Sequence, residues 1–281
     1  MGEKQNISVI IPSFDGYRGG NVPKLLDDLK RQSIKDFELH VVKGIMPNGK
    51  ARNEGVRLAK CDYLVFIDDD VRLGNEFVLG NLIKTLKQDE GIGIAGASRL
   101  LPPDANNFQK RVSKELPRTT FPVVKDIVET DMATHDCMAM RKEIYESVGG
   151  EHEKLVRGTD PDLRYRIRKK GLKVVVIPDT WIYHPLPDNL KHLIQKAFKN
   201  GIGAAWVFKN FPHLVYEAPE GNVRDFVPKR NFPYRVIRGL MRILIALFRF
   251  KFILLSFQIA YAYGYVCGLF KSDKEIEEII F

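Results

Sequence analysis

Cysteine is scarce in these 281 residues: only Cys61, Cys137 and Cys267 are present, and they form no spaced cluster. Neither a disulfide framework nor a zinc site is indicated, so a reducing compartment is expected. The opening stretch Met1–Asn6 runs into an apolar segment, Ile7–Ile11, without the apolar core of a signal peptide. The body of the chain is therefore expected in the cytosol. There is no internal repeat and no low-complexity tract. Acidic residues nearly vanish between Arg224 and Lys251, where Arg224, Lys229, Arg230, Arg235, Arg238, Arg242, Arg249 and Lys251 meet only Asp225. Proline is absent after Pro233, and Phe252–Phe270 carries no charge over 19 positions.

What remains at the tail is basic, aromatic and aliphatic. The formal net charge is +9, and a basic excess suits nucleic acid, anionic lipid or a phosphorylated substrate. Here the bases are interleaved with Phe, Leu, Ile and Tyr and precede an uncharged stretch, which points to a membrane surface and away from nucleic acid. Phe252–Phe270 approaches the roughly 20 residues that cross a bilayer. Ser256, Gln258, three tyrosines and two glycines weaken it as a span. An interfacial helical hairpin held by arginines and aromatic rings fits equally well, and a buried C-terminal helix of a soluble core is the remaining alternative.

Upstream, strand and helix alternate. Strands are expected at Ile7–Ile11, Phe37–Val42, Tyr63–Ile67 and Ile92–Ala97. Helices are expected at Val22–Gln32, Ala51–Ala59 (Val56 and Leu58 inward) and Phe77–Lys87. Repeated βα units imply a mostly parallel sheet. Leu100–Thr134 reads as a long, proline-punctuated loop with an edge strand at Phe121–Val124. Cys137–Met140 and Lys173–Ile177 follow as strands, Lys142–Ser147 and Pro161–Lys170 as helices.

The most informative segment is Tyr63–Asp70, in which a run of β-formers ends in Asp68, Asp69 and Asp70. The end of a strand in an open α/β sheet is where ligand-binding groups are presented. If strand alternation continues, Asp68 and Asp70 share one side and Asp69 faces the other. Like charges that close raise each other's pKa, and a divalent cation relieves the repulsion. Hard oxygen ligands suit Mg²⁺ or Mn²⁺. A solvated turn is the alternative reading.

Five segments in order resemble family 2 glycosyltransferases: Ile10-Ile11-Pro12-Ser13-Phe14-Asp15, Ala51-Arg52-Asn53-Glu54-Gly55, Tyr63–Asp70, Met138–Gly150 and Gly158–Gly171. The resemblance spans roughly residues 6 to 190. It implies a GT-A fold, a nucleotide-sugar donor, a divalent metal (Mn²⁺ or Mg²⁺) and inversion at the anomeric carbon. It also implies Asp160 as catalytic base, Asp70 with Asp68 and His184 as metal ligands, and Pro12, Phe14, Asp15, Arg52, Asp68 and Asp69 around the nucleotide sugar. The chemistry agrees: the leaving diphosphate must be neutralised, the acceptor hydroxyl must lose a proton, and donor and acceptor must be aligned.

Alternatives stay open at single positions. Asp160 or Thr159 can equally cap the helix that begins at Pro161. Arg52 can be a surface residue, or pair with a phosphate, Asp15 or the triplet. Arg166 suits a solvated helix face better than a diphosphate. Two departures stand out: Val42-Lys43-Gly44 lacks the acid the family usually carries there, and Thr159 replaces the usual glutamate. Residues 1–222 are thus expected to form the catalytic domain, and 223–281 a helical membrane-associating region. The acceptor is expected to be a lipid-linked glycan or polysaccharide precursor at the cytosolic membrane face, by peripheral, monotopic or single-span attachment. The rival readings are a sugar-phosphate nucleotidyltransferase and an inactive sugar-nucleotide-binding protein.

Overall fold

The computed structural model describes residues 6–214 and 232–280. The expected boundary at 222/223 lies outside them, as do Arg224, Asp225, Lys229 and Arg230. In chain order the first half comprises β1 (Ile7–Pro12), α1 (Asn21–Arg31), β2 (Glu38–Val42), α2 (Asn48–Leu58), β3 (Tyr63–Ile67), β4 (Arg72–Leu73), α3 (Val78–Gln88) and β5 (Ile92–Leu100). Then come α4 (Asn107–Glu115), β6 (Val128–Glu129), β7 (Cys137–Arg141), α5 (Lys142–Ser147), α6 (Thr159–Lys169), β8 (Lys173–Tyr183) and α7 (Leu190–Asn210). The tail holds α8 (Phe232–Phe248), α9 (Phe252–Phe270) and α10 (Asp273–Ile280).

The strands build one sheet in the order β2-β1-β3-β7-β5-β8-β4, with β6 also pairing β8. Alternation along β3 sorts its side chains into two cores. Val65 and Ile67 pack with α1 and α3 residues such as Leu25 and Leu82. Leu64 and Phe66 pack with Val56, Tyr145 and Leu163 on the opposite face. All four β3 side chains are fully buried, each contributing on the order of 2 kcal/mol. A sheet covered on both faces explains why its central strands read as unbroken apolar runs.

The sheet is mixed rather than mostly parallel. β1 runs parallel to β2 and β3, and β5 to β8, but β7 is antiparallel to both β3 and β5. This insertion places the start of β7 beside the end of β3, with Ile67 opposite Cys137. Four other expectations change. The edge strand Phe121–Val124 reduces to a single bridge between Phe121 and Arg99. The supposed loop contains α4, begun by a capping box between Asn106 and Gln109. β8 continues past Pro178, because a register shift against β5 between Gly96 and Ser98 absorbs the proline. Leu58 is exposed while Val56 is buried, since α2 ends at Leu58.

The tail helices are stitched to the sheet-bearing body. Glu115 on α4 accepts from the Ile253 and Leu254 N–H groups at 2.9 and 3.2 Å, filling the open N-terminus of α9. Small residues then let α9 lie against α7. A Cβ on Gly201 would fall 2.1 Å from the Tyr261 carbonyl oxygen, and one on Gly264 would fall 2.2 Å from that of Phe198. Ile276 of α10 is buried with Ile202 and Trp206 of α7. Gly264→Ala is therefore expected to lower stability by about 1–3 kcal/mol, read as a fall in urea midpoint. An unchanged midpoint would show that the two helices do not touch in solution.

Candidate functional site

The site gathers at the C-terminal ends of β1, β2 and β3 and at the start of α6. β1 ends at the buried Pro12, and Ser13 N donates to Val42 O at 2.9 Å. Gly44 N donates to Phe14 O at 3.0 Å, so the loops after β1 and β2 are joined. The Phe14 ring is 67% exposed. The Asp15 carboxylate accepts from the Tyr17 and Arg18 N–H groups at 2.8 Å each. Those bonds hold it below the usual carboxylate range and commit it to shaping its own loop. Lys43 lies across this loop, where Gly16 has φ +68° and a Cβ would fall 2.3 Å from Lys43 Cε. Glycine adopts that left-handed turn without strain.

Strand β3 stops at Ile67, and the triplet forms a turn in which Asp68 N donates to Asp136 O at 3.2 Å. The alternation expected of Asp68, Asp69 and Asp70 ends with the strand. Asp69 is not turned away from the site: Arg18 approaches Asp69 at 3.5 Å and Asp70 at 3.8 Å. Asp68 instead accepts from Arg52 Nη2 at 2.7 Å. Arg52 is only 3% exposed, so it is no surface residue. Burial raises the Asp68 pKa, Arg52 opposes that, and Asp136 and Asp70 reinforce it. Burial raises Asp69 as well.

Beyond the β8 irregularity, His184 N donates to Leu100 O at 3.0 Å. Its Nε2 lies 3.8 Å from Asp70 Oδ1, and its buried Nδ1 lacks a hydrogen-bond partner among the described residues. No three His, Cys, Asp or Glu side chains converge on one metal position among the described residues. Asp70 and His184 form a two-donor set, with Asp68 set apart on Arg52. A carboxylate and an imidazole fit Mn²⁺ or Mg²⁺ whose remaining ligands are substrate oxygens or water.

Asp160 stands in the first turn of α6, where no side chain caps the helix. The alternative of Asp160 or Thr159 as a helix cap is therefore not what is observed. Asp160 Oδ1 accepts from the backbone N–H of His135 at 2.8 Å and faces its Nδ1 at 2.7 Å. The other ring nitrogen, Nε2, makes an ion pair with Glu151 Oε1. His135 and Glu151 are fully enclosed, whereas the Asp160 side chain is 34% exposed. Arg52 bonds Asp68 directly, and its charge also acts on Glu151 and Asp160. Sequence reasoning missed His135 and Glu151. The available signals were an acid directly after the Gly149-Gly150 turn and a histidine two residues before β7. Arg166 is partly buried and held in place: it pairs with Asp162 at 2.6 Å and donates to the Val148 and Gly150 carbonyls.

Burial and Arg52 both push the His135 imidazole down, but Glu151 and Asp160 outweigh them and raise it to about 9. Burial pushes Glu151 and Asp160 up, and His135 overcomes this to hold both below their ordinary values.

An α/β/α sandwich with carboxylates at the ends of its central strands defines the GT-A class of glycosyltransferase fold. Residues 25–203 match the family model described as glycosyltransferase like family 2. That is more than half of the chain, and the chain belongs to this family. Among solved structures it is similar to a mannosyltransferase from Pyrobaculum calidifontis in complex with GDP-Man and Mn²⁺. The TM-score is 0.58 at 15% identity, over 95% of this chain and 88% of that one. S. aureus TarS 1-349 in complex with UDP-GlcNAc aligns with a TM-score of 0.48 at 13% identity, over 73% of this chain and 67% of that one. At such identities the likeness concerns the fold. No functionally curated protein matches the chain by sequence.

His135→Ala leaves two carboxylates without their buried cation and is expected to cost about 3–5 kcal/mol in urea unfolding. The pH dependence has a definite sign. A histidine raised from 6.5 to about 9 contributes fully below pH 6.5, and its contribution is lost as pH rises through 9. The lowered Glu151 and Asp160 contribute above their ordinary values of 4.5 and 3.8 and lose that contribution as pH falls further. The stability gap between wild type and His135→Asn should therefore narrow between pH 7 and 10. A gap constant across that range would contradict the charge assignment.

Proposed function

We propose that this protein is a metal-dependent, inverting glycosyltransferase that moves a sugar from a nucleotide-sugar donor to an acceptor hydroxyl. The observation that carries the reading is Arg52, which binds Asp68 at the end of β3 and acts on Asp160 at the start of α6. A donor-side acid and a base-side acid thus share one buried cation. The contacts made by the Asp160 carboxylate fall on Oδ1, which leaves Oδ2 to take the acceptor's proton. As that O–H bond breaks, the acceptor oxygen bonds to the anomeric carbon, and the bond to the diphosphate breaks with its electron pair leaving on phosphate. Asp70 and His184 would hold the divalent cation, which supplies Lewis-acid neutralisation of the leaving group. Exposed Arg18, close to Asp69 and Asp70, is placed to turn to the diphosphate once those carboxylates are engaged.

Attachment to the cytosolic membrane face completes the reading. Ile237, Leu240, Met241, Phe248 and Phe250 are exposed on and after α8 beside Arg249, and Ile259, Tyr263, Val266 and Phe270 form an exposed row on α9. Apolar surface of this extent rimmed by bases fits an anionic lipid interface. α9 is long and apolar enough to cross a membrane by length and composition. Yet its glycine face lies on α7, which carries Lys191, Lys196, Lys199 and Lys209. A crossing would draw those lysines into hydrocarbon, so this packing favours a monotopic arrangement. A lipid-linked glycan or polysaccharide precursor is the acceptor class that such a surface would serve.

The test is release of nucleoside diphosphate from GDP-Man, UDP-GlcNAc and a wider donor panel, with Mn²⁺ or Mg²⁺. Asp160→Asn is expected to lower turnover by roughly 10²–10⁴-fold, and Asp70→Ala or EDTA to remove it. Undiminished release in both variants would overturn the reading, and pyrophosphate formation from a sugar phosphate and a nucleoside triphosphate would assign a nucleotidyltransferase. Separately, the full chain should sediment with vesicles containing anionic lipid, and Ile237→Asp/Leu240→Asp should weaken this. Equal sedimentation of the variant would contradict the membrane face.

A further inference from the structure

We propose that His135, held as an imidazolium between Glu151 and Asp160, is a positioning residue that locks one carboxylate oxygen of Asp160 and turns the other toward the acceptor. This rests on the reading of Asp160 as the base. The geometry is specific. Two His135 groups, the backbone N–H and Nδ1, converge on Asp160 Oδ1 at 2.8 and 2.7 Å. The opposite ring nitrogen is closed off by the enclosed Glu151. A ring flanked by carboxylates on both nitrogens meets only acceptors, so both nitrogens carry protons.

Glu151 and Asp160 are the anions in contact with the ring, Asp68 at the end of β3 is a further acid that acts on it, and Arg52 from α2 is the nearby cation. Phe66 from β3 packs edge-on against it at 5.9 Å between ring centroids. Arg164, one turn further along α6, stands 3.9 Å from Asp160 Oδ1 and donates to the Ala133 carbonyl. With Nδ1 on Asp160 and Nε2 ion-paired to Glu151, a doubly protonated His135 has no site for a third proton and cannot accept one from Asp160. The proton taken from the acceptor therefore stays on Asp160 Oδ2 and leaves to solvent from a side chain that is 34% exposed. The task of His135 is to fix orientation and to keep Asp160 ionised while substrates bind. Thr159 stands where the family usually carries a glutamate, so the second carboxylate of the site is supplied from Glu151, through the histidine.

Two experiments test this on the full-length protein in detergent. In the imidazole ¹H–¹⁵N spectrum at pH 7.5, the signals that vanish in His135→Asn should be those of a doubly protonated ring. In Glu151→Gln the same ring should titrate at lower pH. A neutral tautomer in the wild type at pH 7.5 would overturn the proposal. Kinetics are then read with Mn²⁺ and whichever of GDP-Man and UDP-GlcNAc is turned over. His135→Ala should lower kcat by about 10–100-fold with the donor KM within about twofold. His135→Asn, whose amide can still donate to Oδ1, should recover part of that loss. In both variants the acidic limb of kcat/KM should move up by about one pH unit, because Asp160 loses its cation. Where folding of His135→Ala fails, Glu151→Gln supplies the same shift in smaller measure. Folded variants with an unmoved acidic limb and near wild-type kcat would sink the inference while leaving Asp160 as base. An active Asp160→Asn would instead sink the underlying reading.

Discussion

Two buried cations, Arg52 and His135, hold the site together. Between them they neutralise Asp68, Glu151 and Asp160, which come from the end of β3, the turn after α5 and the start of α6. Isolated carboxylates in such surroundings would be protonated or would drive the segments apart. Paired as they are, each is held where its own backbone could not hold it. The cluster also explains the antiparallel placement of β7. That strand brings His135 and Asp136 to the end of β3, where Asp136 O accepts from Asp68 N.

The same arrangement divides the triplet's labour. Asp68 is tied to Arg52 through Oδ1. Asp69 and Asp70 stay at the mouth near Arg18, and Asp70 alone of the three is paired with His184. The site is therefore two-sided: an enclosed, charge-paired floor of His135 and Glu151 beneath Asp160, and a more open rim at Asp69, Asp70 and Arg18. α7, following β8, links this site to the tail, since the α9 and α10 helices pack on it through glycine and apolar contacts. The exposed apolar row on α9 is thereby carried on the helix that follows β8.

Much of this was legible in the sequence, for identifiable reasons. The β-runs at Ile7–Ile11 and Tyr63–Ile67 and the apolar spacing of α1 and α3 report burial directly, and burial is what periodicity measures. Gly149-Gly150, Gly158 and Gly171, which stand at the ends of the segments Met138–Gly150 and Gly158–Gly171, all adopt positive φ. What periodicity does not encode is pairing between distant segments. Nothing local to Cys137–Arg141 says that it runs antiparallel between β3 and β5. Nothing local to His135 or Glu151 says that they meet beneath Asp160. Asp69 was misjudged because strand alternation was carried past the end of the strand. The helix Asn107–Glu115 was passed over despite its Asn106–Gln109 capping box, because nearby prolines suggested a loop.

The most direct test is a crystal structure with Mn²⁺ and a nucleoside diphosphate bound. The account predicts the cation against Asp70 and His184, Arg18 turned from Asp69 to the diphosphate, and Asp160 still anchored through Oδ1 with Oδ2 facing the open side. A cation bound away from Asp70, or Asp160 released from His135 and turned from the diphosphate, would contradict it.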